Sequence, residues 1–573
     1  MSFFDDASLA FLPSSGAGKD GKAYSIKPTT GAGDFTFSRG SNLAATRVGP
    51  TGLIEKGREN LFTYSNDFSN AAWLKNRAIV TSGQSGYDGS SDAWKLIADI
   101  GGSSSRVYQL FSSTGVITTS IYAKAAEYNY VGLYFAGSNV GVVWSLIDGT
   151  PQNPILSYPN IYGNGESIGN GWWRFSITHN AISGDVRVFP CEQNIHNGNT
   201  PDGVSGIYIQ DAQIEIGLAA TDYIESGATT GKAGLLEDEP RFDYSGGATC
   251  PSLLLEPSRT NYIRHSEYIN ESVASWSRFF STIITNNDAI SPDGKNNATK
   301  IECPIGQNAR IDAIVVGLAA GTYTYSFYAK GNVSNLDVNI YEDATGDTLS
   351  STAIETLIND SEWSRVDITF TSTTSSTIRC IYTALTAGDY FYLWGAQLEA
   401  GSYPTSYIPN HSGGSVTREA DDCDGAGDSS TFNDSEGVLY LESSWLSNEL
   451  GTSTIAISDG TTSNRIILGY IGADDDLYAT SIGGASAPSL MRYNVGDITT
   501  NHKIAIKYKA NDFALWIDGV ERGTQSSGTT PVGLNELSFS SGTGGSKIYG
   551  NMKQILYFPT TLTNEELAAL TTI

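Results

Sequence analysis

The chain has 573 residues, of which 62 are glycine, and carries a formal net charge of −27 from 34 basic and 61 acidic residues. This length exceeds one ordinary domain and predicts three or four, at roughly 100 to 200 residues each. The acidic balance excludes attraction to phosphate backbones as a general binding mode, and the apolar runs are too short to span a bilayer. We therefore predict no nucleic-acid partner and no membrane insertion.

The amino-terminal stretch MSFFDDASLAFLP holds two aspartates where a secretory signal needs basic residues. We therefore predict a protein that is made and folded in a cytosol. Residues 1–60 are interpreted as a short attachment segment that ends in a junction motif. The five cysteines show no CxxC spacing and predict unpaired thiols.

The junction motif occurs twice, as LIEKGREN at 53–60 and as LLEPSRTN at 254–261. Three polar positions keep their spacing while the residues between them change. They are Glu55, Arg58 and Asn60 in the first copy and Glu256, Arg259 and Asn261 in the second. One interpretation is a catalytic Glu/Arg pair. The other, favoured by the position at two domain entrances, is a structural clasp in which Glu and Arg form an ion pair and Asn binds nearby backbone.

Further motifs repeat in the same order after each junction, and only the loops between them differ in length. SIYAK returns as SFYAK, GWWRFSIT as SEWSRVDIT, and AQIEIGLAATDYI as AQLEAGSYPTSYI. A two-copy repeat of this size predicts tandem domains. We place them at 61–226 and 262–409, with a linker at 227–261 and another at 410–435.

Apolar residues in both copies alternate with polar ones, which is the period of a β-strand. In TYTYSFYAK, Tyr323, Tyr325 and Phe327 share one face. Short strands bounded by Gly, Asn, Asp and Ser clusters predict an all-β chain of three consecutive antiparallel β-sandwiches, of jelly-roll or concanavalin A-like type.

Residues 436–573 show a different pattern and form the third predicted sandwich. Two strands meet at the turn pair Asp518 and Gly519. At the end of the chain, Thr563 with Glu566 three residues later predicts a capping box and one short helix with Leu567 on its buried face.

The segments DFTFSRGSNLAATRVGPTGLIEKGRENL, PRFDYSGGATCPSLLLEPSRTNYI and GGSVTREADD resemble junction motifs of tailed-bacteriophage virion proteins. In that family, carbohydrate-binding-module-like jelly rolls are joined in series. The carboxy-terminal pattern, LWIDGVERG followed by KQILYFPTTLTNEELAAL, is similar to concanavalin A-like and laminin-G domains.

This resemblance implies a structural or adhesive appendage on the virion surface, such as a head fibre, a tail fibre or a decoration protein. The implied partners are other virion proteins of the capsid, collar or tail, reached through the amino-terminal segment, and host surface glycans. A homo-oligomer is implied as well, a trimer before a dimer. Such a protein is made in the host cytoplasm and released by lysis.

Sugar-binding sandwiches usually stack exposed aromatic faces on pyranose rings. On this basis Trp516 and Trp173 are the candidate glycan ligands. Trp172 and Trp363 occupy matching positions in the two copies, which favours a role in the core.

The loop GADDDLY in the last domain places Asp474, Asp475 and Asp476 together, a pattern that fits a Ca²⁺ site. The alternative is a solvated acidic turn, and we predict no other cofactor. GESIG around Ser167 matches GxSxG, but that elbow needs a following helix, so Ser167 is interpreted as a loop serine. We predict no enzyme activity. The alternative functions are a purely architectural virion component without sugar binding and a glycan depolymerase.

Overall fold

The structure is a computed structural model that describes residues 3–14, 18–40, 43–102, 104–113, 115–156, 162–181, 183–195, 200–270, 273–448, 451–472, 475–484 and 489–573. Within these ranges the chain forms 45 β-strands and two α-helices, and the strand pairings are antiparallel apart from one isolated bridge. This confirms the predicted all-β class of antiparallel sandwiches with a short carboxy-terminal helix. None of the described helices is long and apolar enough to cross a membrane.

The described residues among the first 60 form short elements. They are α1 (Phe3–Asp6), β1 (Leu9–Phe11), β2 (Gly18–Lys19), β3 (Lys22–Ala23), β4 (Phe35–Ser38), β5 (Thr46–Val48), β6 (Ile54–Lys56) and β7 (Arg58–Asn60).

The first repeat folds as two packed six-stranded sheets, which we call sandwich 1. Its strands are β8 (Leu74–Asn76), β9 (Ala78–Gln84), β10 (Ala93–Ala98), β11 (Arg106–Phe111), β12 (Gly115–Ala125), β13 (Tyr130–Phe135), β14 (Val140–Ser145), β15 (Pro151–Leu156), β16 (Tyr162–Gly169), β17 (Trp172–Ala181), β18 (Gly184–Cys191) and β19 (Gly206–Ile216). The strand orders are β16-β17-β12-β19-β10-β9 and β15-β14-β13-β18-β11-β8. Trp73 and Trp144 belong to the core between the two sheets.

Four short strands lie between the repeats. They are β20 (Gly231–Ala233), β21 (Arg241–Asp243), β22 (Ser252–Leu255) and β23 (Arg259–Asn261), with a 3-10 turn at Ser245–Gly247. β20 pairs with β7, so the chain that leaves sandwich 1 runs beside the chain that enters it.

The second repeat folds as two five-stranded sheets, which we call sandwich 2. Its strands are β24 (Trp276–Phe280), β25 (Ile283–Ile290), β26 (Asn296–Glu302), β27 (Ala309–Leu318), β28 (Gly321–Asn332), β29 (Asp337–Glu342), β30 (Asp347–Ala353), β31 (Ser364–Ser372), β32 (Ser376–Thr383) and β33 (Tyr390–Ala400). The strand orders are β25-β26-β33-β28-β31 and β24-β27-β32-β29-β30. Tyr323, Tyr325 and Phe327 all lie in the core, as the alternation predicts.

The remaining elements follow sandwich 2. They are β34 (Val416–Arg418), β35 (Asp422–Asp424), β36 (Glu436–Trp445), β37 (Ser453–Ser458), β38 (Asn464–Ile471), β39 (Asp476–Gly483), β40 (Ser489–Asn494), β41 (His502–Lys509), β42 (Phe513–Ile517), β43 (Val520–Gln525), β44 (Glu536–Ser538), β45 (Gly550–Phe558) and α2 (Asn564–Thr571). Sheets β21-β22-β45-β36-β41-β42-β43, with β1 also on β45, and β40-β39-β38-β37-β44 form sandwich 3.

Local signals in sandwich 3 are confirmed. Asp518 and Gly519 both have positive φ and connect β42 to β43. Thr563 caps α2, and Glu566 completes the capping box. Leu567 is buried beneath the helix.

Sandwich 3 is built from segments that are discontinuous in sequence. The sequence instead predicted a separate segment at 1–60 and linkers at 227–261 and 410–435. Leu9 pairs with Tyr557, so β1 extends the sheet of the last domain. Phe11 and Phe37 lie in the same core as Leu253 and Leu255. β35 pairs with β4. The junction strands therefore complete the terminal sandwich, and sandwiches 1 and 2 are insertions in it.

Buried charges from distant segments hold this arrangement together. Arg241 pairs with Glu256 and Asp421, Arg418 pairs with Glu256 at 2.6 Å, and Arg39 pairs with Asp421 at 3.2 Å. We call these five residues the junction network. All are buried, and removing one member would leave its partners with less of the charge that compensates them.

Candidate functional site

A row of side chains crosses the outer face of one sheet in sandwich 1. Lys124 on β12 lies opposite Trp172 on one side and Tyr208 on the other. Tyr208 lies opposite Lys95, and Lys95 lies opposite Thr81. Residues directly opposite each other in a sheet point to the same face. We call this sequence of Trp, Lys, Tyr, Lys and Thr row 1.

Sandwich 2 carries the same five residue types in the same order, which we call row 2. Trp363 immediately precedes β31 and lies beside Lys330 of β28. Lys330 lies opposite Tyr392, Tyr392 opposite Lys300, and Lys300 opposite Thr285. The row therefore repeats across five chain segments in each sandwich.

Row 1 is closed at its tryptophan end by a tyrosine from the loop between β9 and β10. The ring of Tyr87 stacks on Tyr122, with centroids 3.9 Å apart and planes 4° from parallel. It also contacts Trp172 edge-on at 6.3 Å, and Trp172 is only 2% exposed. Tyr87 Oη donates to Asp211 Oδ2 at 2.9 Å, which fixes the ring in place.

Row 2 has no tyrosine at the corresponding position. Aligning GYDGSSDA with SPDGKNNA places Pro292 where sandwich 1 has Tyr87. Trp363 and Tyr392 are both half-buried. Trp363 Nε1 donates to the carbonyl of Ile290 at 3.0 Å, so the indole has a fixed orientation on the sheet.

The charges of row 2 are arranged around its rings. Lys330 Nζ lies 5.1 Å from the ring centroid of Trp363 and 5.5 Å from that of Tyr392. Lys300 pairs with Glu302 at 2.9 Å, and this hydrogen bond raises the pKa of Lys300. Two ring faces with an ammonium group between them can bind a ligand by stacking and by charge.

The duplicated asparagines make matching contacts in the two sandwiches. In each case the side-chain amide donates to two backbone carbonyls and its oxygen accepts from two backbone amides. The partners of Asn60, at 2.9 to 3.2 Å, are Ala212, Ile224, Phe62 and Ile214. The partners of Asn261, at 2.9 to 3.3 Å, are Ala396, Ile408, Ile263 and Leu398. Both asparagines thus close the entrance of a sandwich onto its last strand.

The predicted ion pair within each junction motif is wrong. Glu55 pairs with Arg47 on the neighbouring strand at 2.8 Å. Glu256 pairs with Arg241 and Arg418 in the junction network. A Glu three residues before an Arg lies on the opposite side of an extended chain, so the two side chains diverge.

The arginines of the two motifs have other surroundings. Arg259 Nε lies 3.8 Å from Glu399. Arg58 lines a cavity of about 270 Å³ between sandwiches 1 and 2, together with Lys56, Asp293 and His411.

Neither tryptophan named from the sequence lies on a row. Trp516 is 6% exposed and is packed with Leu567 under α2, which leaves no ring face for a sugar. Trp173 points to the opposite side of β17 from Trp172 and packs against the core of sandwich 1, 6.3 Å from Phe175. The outer-face residues are instead Trp172 and Trp363, which the sequence assigned to the core.

The predicted Ca²⁺ loop is described in part. Asp474 lies outside the described residues, Asp475 accepts a hydrogen bond from Tyr470 at 2.7 Å, and Asp476 begins β39. Among the residues that the structure describes, no group of three or more His, Cys, Asp or Glu side chains could hold a metal ion. Ser167 lies on β16 opposite Trp173 and not in a loop, and another strand follows, which is not the geometry of a nucleophile elbow.

Sequence reasoning missed Tyr208, Lys95, Tyr392 and Lys300. A usable signal was present, because Tyr208 and Tyr392 lie at the same distance before the repeated AQ motif. The pairing of distant strands that brings them beside Lys124 and Lys330 is a tertiary feature.

No protein-family model and no curated protein sequence matches the chain. Several similar solved structures are carbohydrate-binding modules with β-sandwich folds. The CBM40 module of a Ruminococcus gnavus IT-sialidase, solved with alpha2,3 sialyllactose, is 15% identical over 25% of this chain and 84% of that chain, with a TM-score of 0.22.

An N-terminal tandem CBM22 domain from Paenibacillus barcinonensis is 11% identical over 64% of this chain and 100% of that chain, with a TM-score of 0.20. The enzymatically active domain of tailspike protein 4 from bacteriophage CBA120 is 11% identical over 24% of this chain and 21% of that chain, also at 0.20.

Proposed function

We propose that this chain is a non-catalytic structural protein of a tailed-phage particle that binds glycans through row 2. The duplicated row is the observation that carries the binding proposal. Trp363 and Tyr392 present half-buried ring faces on the outer side of a sheet, where a pyranose ring stacks well. A rigid sheet keeps such rings in place before a ligand arrives, which lowers the entropic cost of binding.

The phage assignment is supported by the junction segments that resemble virion proteins. The same segments contribute all five charges of the junction network. We place the protein on the virion surface, attached to capsid, collar or tail proteins and facing host surface glycans. A homotrimer would multiply weak sites into useful avidity, by about 10² to 10⁴ for linked sites. A Ca²⁺ ion near Asp475 and Asp476 stays a prediction.

The test is a glycan-array and whole-cell binding measurement on the full-length protein and three variants. We expect Trp363→Ala and Tyr392→Ala each to weaken binding at least about tenfold, because loss of an aromatic hot-spot residue typically costs about 2 kcal/mol or more and 1.4 kcal/mol is about tenfold. Tyr341→Ala is the matched control, since Tyr341 is a half-buried tyrosine on the other sheet of sandwich 2.

Thermal melting of each variant separates loss of binding from loss of fold. If the wild-type protein binds neither glycans nor cells while still assembling on particles, the architectural function replaces this proposal. If binding survives both row variants, row 2 is not the site.

A further inference from the structure

The lysines at the centre of the two rows differ from the other lysines beside them. Lys95 pairs with Glu127 at 2.8 Å, and Lys300 pairs with Glu302 at 2.9 Å. Among the described residues, neither Lys124 nor Lys330 makes an ion pair with a carboxylate. In each sandwich, therefore, the outer lysine is neutralised by a glutamate and the central lysine is not.

This asymmetry is informative because carboxylates are abundant in the chain. Acidic residues outnumber basic ones by 61 to 34, so a partner for a surface lysine is easy to supply. The same position nevertheless lacks one in both sandwiches. An ammonium group that two rings hold in place and no carboxylate neutralises is suited to an external anion.

A second cation lies on the same face of sandwich 2 as Lys330. The next residue on the same face of β28 is Tyr328, and Arg365 lies over its ring at 5.5 Å. Arg365 donates to the carbonyl of Thr405 at 2.6 Å and to Ser326 Oγ at 3.1 Å, which are neutral acceptors. Row 2 therefore adjoins a second cation on the side of Lys330, while its carboxylates, Glu302 and Asp288, lie beside Lys300 and Tyr392.

We propose that row 2 selects acidic glycans, with a carboxylate of the sugar accepting hydrogen bonds from Lys330 while the pyranose ring stacks on Trp363 or Tyr392. The ligand class is thus an oligosaccharide that contains uronic or other carboxylated sugars. This inference rests on the proposed glycan binding and adds the chemistry that decides which glycans bind. Row 1 does not take part, because its tryptophan, Trp172, is only 2% exposed and has Tyr87 against its edge.

The experiment compares host surface polysaccharide before and after chemical reduction of its carboxyl groups, which leaves the rings and removes the charge. A glycan array with neutral, carboxylated and sulfated members is probed in parallel with the full-length protein. We expect binding to carboxylated glycans, loss of at least tenfold in affinity on carboxyl reduction, and weaker binding as salt concentration rises.

The variants locate the effect. Lys330→Gln should lower affinity for the carboxylated ligand about tenfold, and Lys330→Arg should retain most of it. Lys124→Gln removes the equivalent charge from the closed row and should change nothing. Thermal melts show whether each variant is folded.

The outcomes separate this inference from the proposed function. Equal binding before and after carboxyl reduction, unaffected by Lys330→Gln, would overturn the acidic specificity while glycan binding stands. Preference for sulfated members alone would overturn the assignment to carboxylates. Absence of binding to any glycan or cell would remove both proposals.

Discussion

Sandwiches 1 and 2 share one hydrogen-bonded frame and differ in one corner. In both, a glutamine of the last strand donates to a glutamate two residues later, at 2.8 Å in sandwich 1 and 2.7 Å in sandwich 2. The glutamate then accepts from the amide and the hydroxyl of a threonine. The residues are Gln213, Glu215 and Thr221 in the first and Gln397, Glu399 and Thr405 in the second.

The differing corner lies near the loop before β10 in sandwich 1 and near the loop before β26 in sandwich 2, and different residues fill it. In sandwich 1, Gln210 Nε2 donates to Asp92 at 2.8 Å and to Asp88 at 3.3 Å. In sandwich 2, Lys56 Nζ lies 3.3 Å from Glu267 and 3.2 Å from Asp293.

Lys56 belongs to β6, outside sandwich 2, so this corner is completed by a residue of the first junction. Trp394 occupies the position of Gln210 and fills the space with a buried ring. A few loop substitutions thus change a corner that is filled by residues of its own sandwich into one that binds a residue of another segment. The repeated strands preserve the fold, and the loops decide what each copy is attached to.

Removal of the Lys56 ammonium is the strongest test of this comparison. Burial disfavours the charged forms, but the ion pairs hold the pKa of Lys56 above its usual value and that of Glu267 well below its usual value. Lys56→Met removes the ammonium group that compensates the buried carboxylates of Glu267 and Asp293, which should destabilise sandwich 2 by about 3 kcal/mol. Hydrogen exchange read by mass spectrometry should show roughly 100-fold faster opening of β26 and β33.

Gln210→Leu is the matched change in sandwich 1 and should cost only about 1 kcal/mol. Gln210 is neutral, and the Asp88 and Asp92 that it contacts are exposed and stay hydrated without it. Equal losses of stability in the two variants would show that the Lys56 ammonium stabilises its corner no more than the neutral Gln210 amide stabilises the corner of sandwich 1.

The two copies should also respond differently to pH. Burial raises the pKa of Asp211 to about 7, with the hydrogen bond from Tyr87 opposing and the charges of Asp92 and Asp88 reinforcing the shift. Sandwich 2 has Gly395 at the equivalent position of the bulge. Between about pH 4 and pH 7 folded sandwich 1 retains a proton that the unfolded chain has lost, so its stability should fall as pH rises.

Asp211→Asn should remove this slope and stabilise sandwich 1 by about 2 kcal/mol at pH 8. The full pKa shift corresponds to about 4 kcal/mol, and screening of the exposed Asp88 and Asp92 charges reduces it. Asparagine tolerates the positive φ of this position and still accepts the bond from Tyr87. Hydrogen exchange at pH 5 and pH 8 provides the measurement, and an unchanged slope in the variant would contradict the assignment to Asp211.

The sequence predicted those parts of the fold that depend on local pattern. Alternation placed Tyr323, Tyr325 and Phe327 in a core, and the capping box predicted α2. It did not predict the discontinuity of sandwich 3, because three-residue strands such as β1 and β22 have too few residues to show a period. Their position is decided by partners about 300 to 550 residues away.

The candidate site was predicted less well, for a related reason. Trp172 and Trp173 are adjacent, and only the parity of β17 decides which of them faces outward. The parity was readable from Phe175 and Ile177, which are apolar and point inward with Trp173. The register that brings Tyr392 beside Lys330 has no local signature, and neither does the stacking of Tyr87 that closes row 1.

That closure gives the smallest predicted effect. Tyr87→Ala removes the ring from Tyr122 and from Trp172, at a cost of about 1 kcal/mol to sandwich 1 for the lost aromatic contacts. It also frees the edge of Trp172 that Tyr87 contacts, so row 1 comes closer to the geometry of row 2. We therefore expect isothermal titration with a carboxylated oligosaccharide to give two sites per chain in the variant and one in the wild type.

Tyr134→Ala, on the other sheet of sandwich 1, is the control and should leave one site. Comparing the affinity of the second site in the Tyr87→Ala variant with that of row 2 then shows how much of the binding free energy comes from the five row residues alone. Since the two rows contain the same residue types in the same order, a variant that is folded yet still binds once would mean that exposure of these side chains is not sufficient. In that case the loops around row 2 would have to supply the missing contacts. The loops would then explain why only sandwich 2 binds the ligand, just as they explain why only sandwich 2 binds Lys56 of the first junction.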